Sequence, residues 1–287
     1  MTTRREWNDL PVQVRHAVEE RTGPVLKAES ATSGRNSELA ATLRTPQGPI
    51  FCKGITTASS LSVMHHNEIS ASPFLPGEIA PRLLWHVETG GWLLLGFEHV
   101  TGQHANLTPG SPDIPLVADA VNAIARVPVP SETAGRRAMA AQWTRALKSE
   151  IHADPPEKAS AWSTDNADKL THWAARAPEH MDGTTLIHTD LNPANFLVAD
   201  TTRVIDWAWW RTGAAWIDPA FVLIRLIAAG HTPAQAEEWA NRTPGFQAAS
   251  PDALTAFAAS VLRLWERKFA TTDATAAARA WARHRLG

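Results

Sequence analysis

Four polar side chains in one short stretch could do chemistry together. The stretch is Leu186-Ile-His-Thr-Asp-Leu-Asn-Pro-Ala-Asn195-Phe-Leu-Val, and Asp206 follows eleven residues after Asn195 in Val204-Ile-Asp-Trp207. It reads as an apolar strand, a polar loop and a second apolar strand. The turn Ala199-Asp200-Thr201-Thr202 then leads to a short strand that ends in a carboxylate. If the two later strands pair, His188, Asp190, Asn195 and Asp206 converge on one small volume. Such a set suits phosphoryl transfer, in which one carboxylate sits beside the attacking hydroxyl. An amide oxygen and a second carboxylate then hold Mg2+ on the nucleotide phosphates. Mg2+ takes only one or two protein carboxylates and leaves its other positions to phosphate and water.

Further residues extend the pattern. His188-x-Asp190-x-x-x-x-Asn195, Ile205-Asp206-Trp207, Gly213 and Trp216-Ile-Asp218-Pro-Ala220 stand in order over about residues 184–221. This block resembles the aminoglycoside phosphotransferase and choline kinase family. The resemblance implies an α+β, two-lobed, protein-kinase-like fold, with a small antiparallel-sheet N-lobe and a larger helical C-lobe. It also implies roles. Asp190 would be the catalytic base or hydroxyl-orienting carboxylate, and His188 would brace its loop. Asn195 and Asp206 would bind Mg2+, and Asp218 would accept hydrogen bonds from the loop backbone.

Upstream, Ile50-Phe51-Cys52-Lys53-Gly54-Ile55 buries a lysine in an apolar strand-like run, in a chain with six lysines against 21 arginines. A buried lysine needs a partner or a phosphate. By resemblance Lys53 would contact the α- and β-phosphates, and Glu68, in the helix expected over 59–71, would hold it. Ser30-Ala-Thr-Ser-Gly34-Arg-Asn-Ser37 is a hairpin tip, so Ser33 and Gly34 are candidates to lie over phosphates. It lacks GxGxxG, and small hydroxyl-rich tips are also ordinary turns. In Trp92-Leu-Leu-Leu-Gly-Phe-Glu-His99, backbone groups at about Phe97 to His99 would pair with the nucleotide base. Backbone recognition leaves no side-chain signature, so ATP is expected and GTP stays open.

These residues need elements to position them. A helix is expected over 1–21, strands over 25–29, 37–44 and 50–55, a helix over 59–71, and strands over 80–88 and 91–98. After that the chain turns helical, at 113–127, 133–151 and 166–179, before the strand-loop-strand unit. Helices at 216–229, 234–242, 251–270 and 274–285 close it. Thr232-Pro233 and Ser250-Pro251 place a hydroxyl at the N-cap and proline at the first helical position. The expected division is an N-lobe over 1–99 and a C-lobe over 100–287.

Composition narrows the class. With 287 residues and 44% hydrophobic content, one two-lobed unit is expected. A net charge of −2 without a basic run gives no case for nucleic acid. The single cysteine, Cys52, suits a reducing compartment, and the opening lacks an apolar signal-peptide core, so a cytoplasmic protein is expected. The longest apolar stretch, near Phe221–Ala229, is broken by Arg225 and too short to span a membrane. A monomer or a homodimer is expected.

The acceptor is read from charge and aromatics. Eleven residues separate Asp206 from Asp218, too few for a peptide-docking activation segment, and Asn192 stands where protein kinases carry a lysine. A small hydroxylated acceptor is therefore expected, most simply an antibiotic of the aminoglycoside or another hydroxylated type. Polycationic aminoglycosides call for a carboxylate-lined site. From Phe196 onward eight acidic residues face ten basic ones, a balance that weakens the aminoglycoside reading. Glu237, Glu238, Glu266 and Asp273 are the candidate carboxylates. Among 13 tryptophans, Trp209 and Trp210 follow Asp206 and could stack on a substrate, while Trp265 and Trp281 suit the core. The alternatives are a kinase of a metabolite such as choline, homoserine or a sugar, a non-catalytic nucleotide-binding scaffold, and a metal-dependent hydrolase. The adjacent pair His65-His66 reads as surface or core histidine.

Overall fold

The computed structural model describes residues 3–32, 34, 36–150, 156 and 159–287. They form two compact units, Met1–Gly102 with Arg203–Trp209, and Gln103–Thr202 with Trp210–Gly287. Residues 203–209, which the sequence groups with the helical lobe, are thus part of the first unit.

In the first unit, α1 (Val12–Thr22) precedes β1 (Lys27–Ser30), β2 (Leu39–Thr45) and β3 (Gly48–Thr56). Then come α2 (Ser62–Ala71), β4 (Leu83–Thr89) and β5 (Trp92–Glu98). The expected first helix starts later because Pro11 fixes its own backbone and holds Leu10 extended, so only a 3-10 turn, Trp7–Asp9, precedes it. The five strands lie in the order β1-β2-β3-β5-β4, with every pair antiparallel. The β4–β5 hairpin closes through Gly90 and Gly91, at φ +56° and +75°. Two left-handed residues in a two-residue loop match the right-handed twist of the strands, and glycine adopts them without cost.

β5 is buried on both faces, which explains its unbroken apolar run. Trp92 and Leu94 face a cluster with Trp7, Leu10, Val14 and Val18 from the α1 side. Leu93, Leu95 and Phe97 face the other way, with Ile55, Leu61 and Ile69 from the α2 side. Lys53 stands opposite Leu95 in the register, and alternation along β3 turns it toward α2 together with Ile55.

In the second unit, β6 (Gln103–His104) leads to α3 (Asp113–Ile124), α4 (Ser131–Ala134), α5 (Met139–Glu150), α6 (Ala161–Asp165) and α7 (Ala167–Arg176). The single helix expected over 133–151 is interrupted at Gly135–Arg137, and Ala138 makes a β-bridge to Thr212. The strands β7 (Thr185–Ile187) and β8 (Phe196–Val198) flank the polar loop. β9 (Thr202–Val204) crosses into the first unit, and β10 (Arg211–Gly213) returns to the second. β7 pairs with β10, and β6 with β8. The closing helices are α8 (Ile217–Ala228), α9 (Pro233–Ala240), α10 (Pro244–Gln247), α11 (Pro251–Phe269) and α12 (Asp273–Leu286). Both expected caps form: Thr232 Oγ1 accepts from Gln235 N at 3.2 Å and Ser250 Oγ from Ala253 N at 3.1 Å. Phe257 on α11 centres an aromatic core with Trp143, Trp216, Phe221 and Trp281, at centroid distances of 5.2–6.2 Å. Among the described residues, no helix is long and apolar enough to cross a membrane.

Candidate active site

Each unit carries its own cluster. In the first, Lys53 Nζ lies 2.5 Å from Glu68 Oε2 and 3.3 Å from Asp206 Oδ1. Burial works against the Lys53 charge. Glu68 and then Asp206 outweigh it, so the lysine's pKa is raised and the ammonium persists. Asp206 has φ +66°, a left-handed conformation that an aspartate tolerates. The segment that carries it is tied down at both ends. Val204 N donates to Ile79 O at 2.7 Å, and Asn67 Nδ2 on α2 donates to Ala208 O at 2.9 Å. Asn67 carried no signal in the sequence, because its partner is a backbone oxygen 141 residues away. His65, one turn before Glu68 on α2, is buried, and its Nε2 lies 3.2 Å from Ser37 Oγ. Burial, followed by the Lys53 charge, lowers its pKa to about 4. His66 is exposed.

The remaining nucleotide-side candidates fall as follows. Phe97 lies in β5 with its ring centroid 5.5 Å from Lys53 Nζ, and the half-buried His99 follows the strand's last residue. Gly34 is exposed at φ +93°, and its carbonyl accepts from Arg4 Nη2 at 2.9 Å. Ser33 lies outside the described residues.

In the second unit, β7 delivers the loop that holds His188 and Asp190. Thr189 has φ +68°, strained for a β-branched residue. Asp218, buried in the first turn of α8, holds it there. Its Oδ2 accepts from His188 N at 2.7 Å and its Oδ1 from Thr189 N at 2.9 Å. Burial raises the Asp218 pKa, while His188 and these two N–H groups oppose the rise. His188 is fully buried, and its Nδ1 accepts from Asp190 N at 3.3 Å. Asn195 Nδ2 donates to Asp190 O at 2.8 Å, which orients the amide and leaves its carbonyl oxygen as the group it can offer a cation. Asn192 Nδ2 lies 3.3 Å from Asp190 Oδ1.

α8 adds a residue without an expected role. Arg225 Nη2 lies 3.9 Å from Asp190 Oδ1. Its only trace in the sequence is the break it makes in an apolar helix.

The acceptor candidates separate by burial. Glu266 is buried, and its Oε1 accepts from Ser163 Oγ at 2.8 Å and pairs with Arg279 Nη2 at 2.8 Å. Glu237 Oε1 accepts from Trp281 Nε1 at 2.7 Å and pairs with Arg285 Nε at 3.2 Å. Both carboxylates therefore join helices through internal partners. Trp210 is fully buried beneath the Arg137 guanidinium, 4.1 Å from its ring, and is likewise core. Glu238 is on an exposed helix face with Arg242, and Asp273 is exposed in the first turn of α12. Trp209 stays 36% exposed, enough to meet a ligand. Among the described residues, no three His, Cys, Asp or Glu side chains cluster as a metal site.

Solved structures share this architecture over nearly the whole chain. An aminoglycoside phosphotransferase, APH(4)-Ia, in a ternary complex with ADP and hygromycin B is 16% identical, with 96% of this chain and 98% of that one covered and a TM-score of 0.64. The spectinomycin phosphotransferase APH(9)-Ia with ADP and spectinomycin is 12% identical, with 94% and 93% covered and a TM-score of 0.58. The choline kinase LicA from Streptococcus pneumoniae is 14% identical, with 96% and 97% covered and a TM-score of 0.58. Their shared fold is the α+β, protein-kinase-like one. Comparison with curated proteins gives no match. The sequence pattern of the phosphotransferase enzyme family matches residues 63–257, more than half of the chain, and the chain belongs to that family. Membership implies a kinase-type phosphotransferase activity.

Proposed function

We propose that this protein transfers the γ-phosphate of ATP to a hydroxyl of a small molecule. The observation that carries the reading is the buried Lys53 ammonium held by Glu68 and within 3.3 Å of Asp206. A lysine held this way is a fixed positive charge for nucleotide phosphates, and Glu68 keeps it extended. Asn195 and Asp206 would hold Mg2+, and their oxygen donors suit that cation. Mg2+, when bound, neutralises charge on the β- and γ-phosphates. Asp190 orients the acceptor hydroxyl. The hydroxyl oxygen attacks the γ-phosphorus, the bond from that phosphorus to the β–γ bridging oxygen breaks, ADP leaves, and the hydroxyl proton passes to Asp190. His188 and Asp218 hold the Asp190 loop in place. Ser33 and Gly34 would cover the phosphates, and the chain from Phe97 to His99 would meet the base. Most of the catalysis is then positioning and charge neutralisation. This chemistry fits an ATP-supplied cytoplasm.

The acceptor in this reading is a hydroxylated small molecule, with Trp209 as the aromatic candidate beside it. An antibiotic or a metabolite both suit that description. Support for a polycationic aminoglycoside is weaker, because Glu237 and Glu266 are bound internally. The test is Mg2+-dependent ADP release against pooled aminoglycosides, macrolides, cyclic peptides and small hydroxylated metabolites, with Asp190→Asn alongside. A pool that stimulates release only in the wild type supports the reading. Release that survives Asp190→Asn removes Asp190 from its role.

A further inference from the structure

Arg225 lies within the most apolar helix of the second unit, between the fully buried Ile224 and Leu226. Its guanidinium lies over the Trp265 ring at 5.1 Å, and Nη2 stops 3.9 Å from Asp190 Oδ1, beyond hydrogen-bonding distance. No oxygen among the described residues accepts a hydrogen bond from this side chain, and its Nε is buried without a partner. Its side chain is only 20% exposed. A guanidinium carries five N–H donors in a planar fork, and burying its Nε without an acceptor is unfavourable. Trp265 supplies a stacking face and no acceptor for those donors. Asp190 is too far to accept from them and is already approached by Asn192 and Asn195.

We propose that Arg225 is an acceptor-binding residue that pairs with an oxyanion of the acceptor, a carboxylate or a phosphate carried within a few atoms of the reacting hydroxyl. The acceptor is then a hydroxy acid or a phosphorylated alcohol, and a polycation is disfavoured. This rests on the reading of Asp190 as the carboxylate that orients the hydroxyl. The fork matches an oxyanion bidentately, and the buried setting strengthens the pairing. A polycation would instead meet a fixed positive charge beside the reacting group, while Glu237 and Glu266 are held among their own helices.

The test is calorimetric titration of the full chain with D-glycerate, with glycerol 3-phosphate and with kanamycin, in the wild type, Arg225→Gln and Arg225→Lys. At least one of the two anions is expected to bind the wild type, and comparing the two tells carboxylate from phosphate. Arg225→Gln should weaken that binding about tenfold or more, as loss of a charged hydrogen-bonding partner does. Arg225→Lys should restore part of it, because the charge returns without the fork, and ATP affinity should stay unchanged in both. Should Arg225→Gln fail to fold, judged by its melting curve, the Lys variant alone decides, since an unchanged anion affinity overturns the proposal. Anion binding that is absent from the wild type or indifferent to Arg225→Gln overturns it too, as does kanamycin binding more tightly than both anions. ADP release with Asp190→Asn as control tests the kinase reading separately, so either can fail without the other.

Discussion

Lys53 shows how one residue can be legible before its surroundings are. An ammonium in an apolar strand demands a counter-charge, and Glu68 and Asp206 supply it from 15 and 153 positions away. Lys53→Met leaves Glu68 buried without its cation, a change that costs about 3–5 kcal/mol in comparable pairs. Lys53→Met with Glu68→Gln should recover much of that stability in urea unfolding while ATP affinity stays low. Recovered affinity would remove Lys53 from the phosphate site. Asp206→Ala should weaken Mg2+-nucleotide binding, and unchanged affinity would end its role as a metal ligand. His65 gives a pH prediction with a definite sign. Its pKa of about 4 lies below the unfolded value near 6.5, so the unfolded chain binds more protons between those limits. Its contribution is therefore present above about pH 6.5 and fades as pH falls toward 4, amounting to about 2 kcal/mol lost by pH 5. His65→Gln should remove this loss, so that its stability falls less than wild type's, or rises, as pH drops through that window, and a slope unchanged from wild type would contradict it. Glu237, Glu266 and Trp210 were not legible at this scale. The sequence supplies their charge and ring but not the face they occupy, and their partners Arg285, Arg279 and Arg137 lie 13–73 positions away.

At the scale of elements, periodicity and caps carried most of the information. The strands flanking Lys53 and the capped starts of α9 and α11 follow from alternation, hydroxyl caps and proline. The breaks within 133–151 and 166–179 did not follow. The bridge from Ala138 to Thr212 is a long-range contact, and the second helix passes into a 3-10 turn at Ala177–His180. The short pairs β7–β10 and β6–β8, three and two residues long, are too brief for a periodic signal. The first turn of α8 restrains β7's loop through one carboxylate. Asp218→Ala should remove the acceptor of two backbone N–H groups and leave Thr189 strained without support, costing roughly 3 kcal/mol. The drop should appear as a lower melting temperature together with a fall in turnover. Asp218→Asn should keep one acceptor and lose less, and equal melting temperatures for both variants would show that the clamp is not what holds the loop.

At the scale of the whole molecule, the motif block 184–221 and the small sheet before it were enough to imply a kinase-like fold with two units. The assignment of residues 203–209 was not readable, because Ile79 and Asn67 hold that segment through backbone groups that leave no pattern. If the nucleotide reading holds, MgATP at a hundred times its dissociation constant should stabilise the chain by about 2.7 kcal/mol, and Asp206→Ala should reduce the shift in melting temperature at the same MgATP concentration. An undiminished shift in the variant would place nucleotide binding elsewhere. The return of residues 203–209 to the first unit also bears on synthesis. A chain made from its N-terminus can form the sheet within its first hundred or so residues. The seventh residue of that returning segment, Trp209, emerges only after about another hundred residues have been made. Until then Lys53 has Glu68 but not Asp206, and the first unit to begin is not finished until most of the second has been translated.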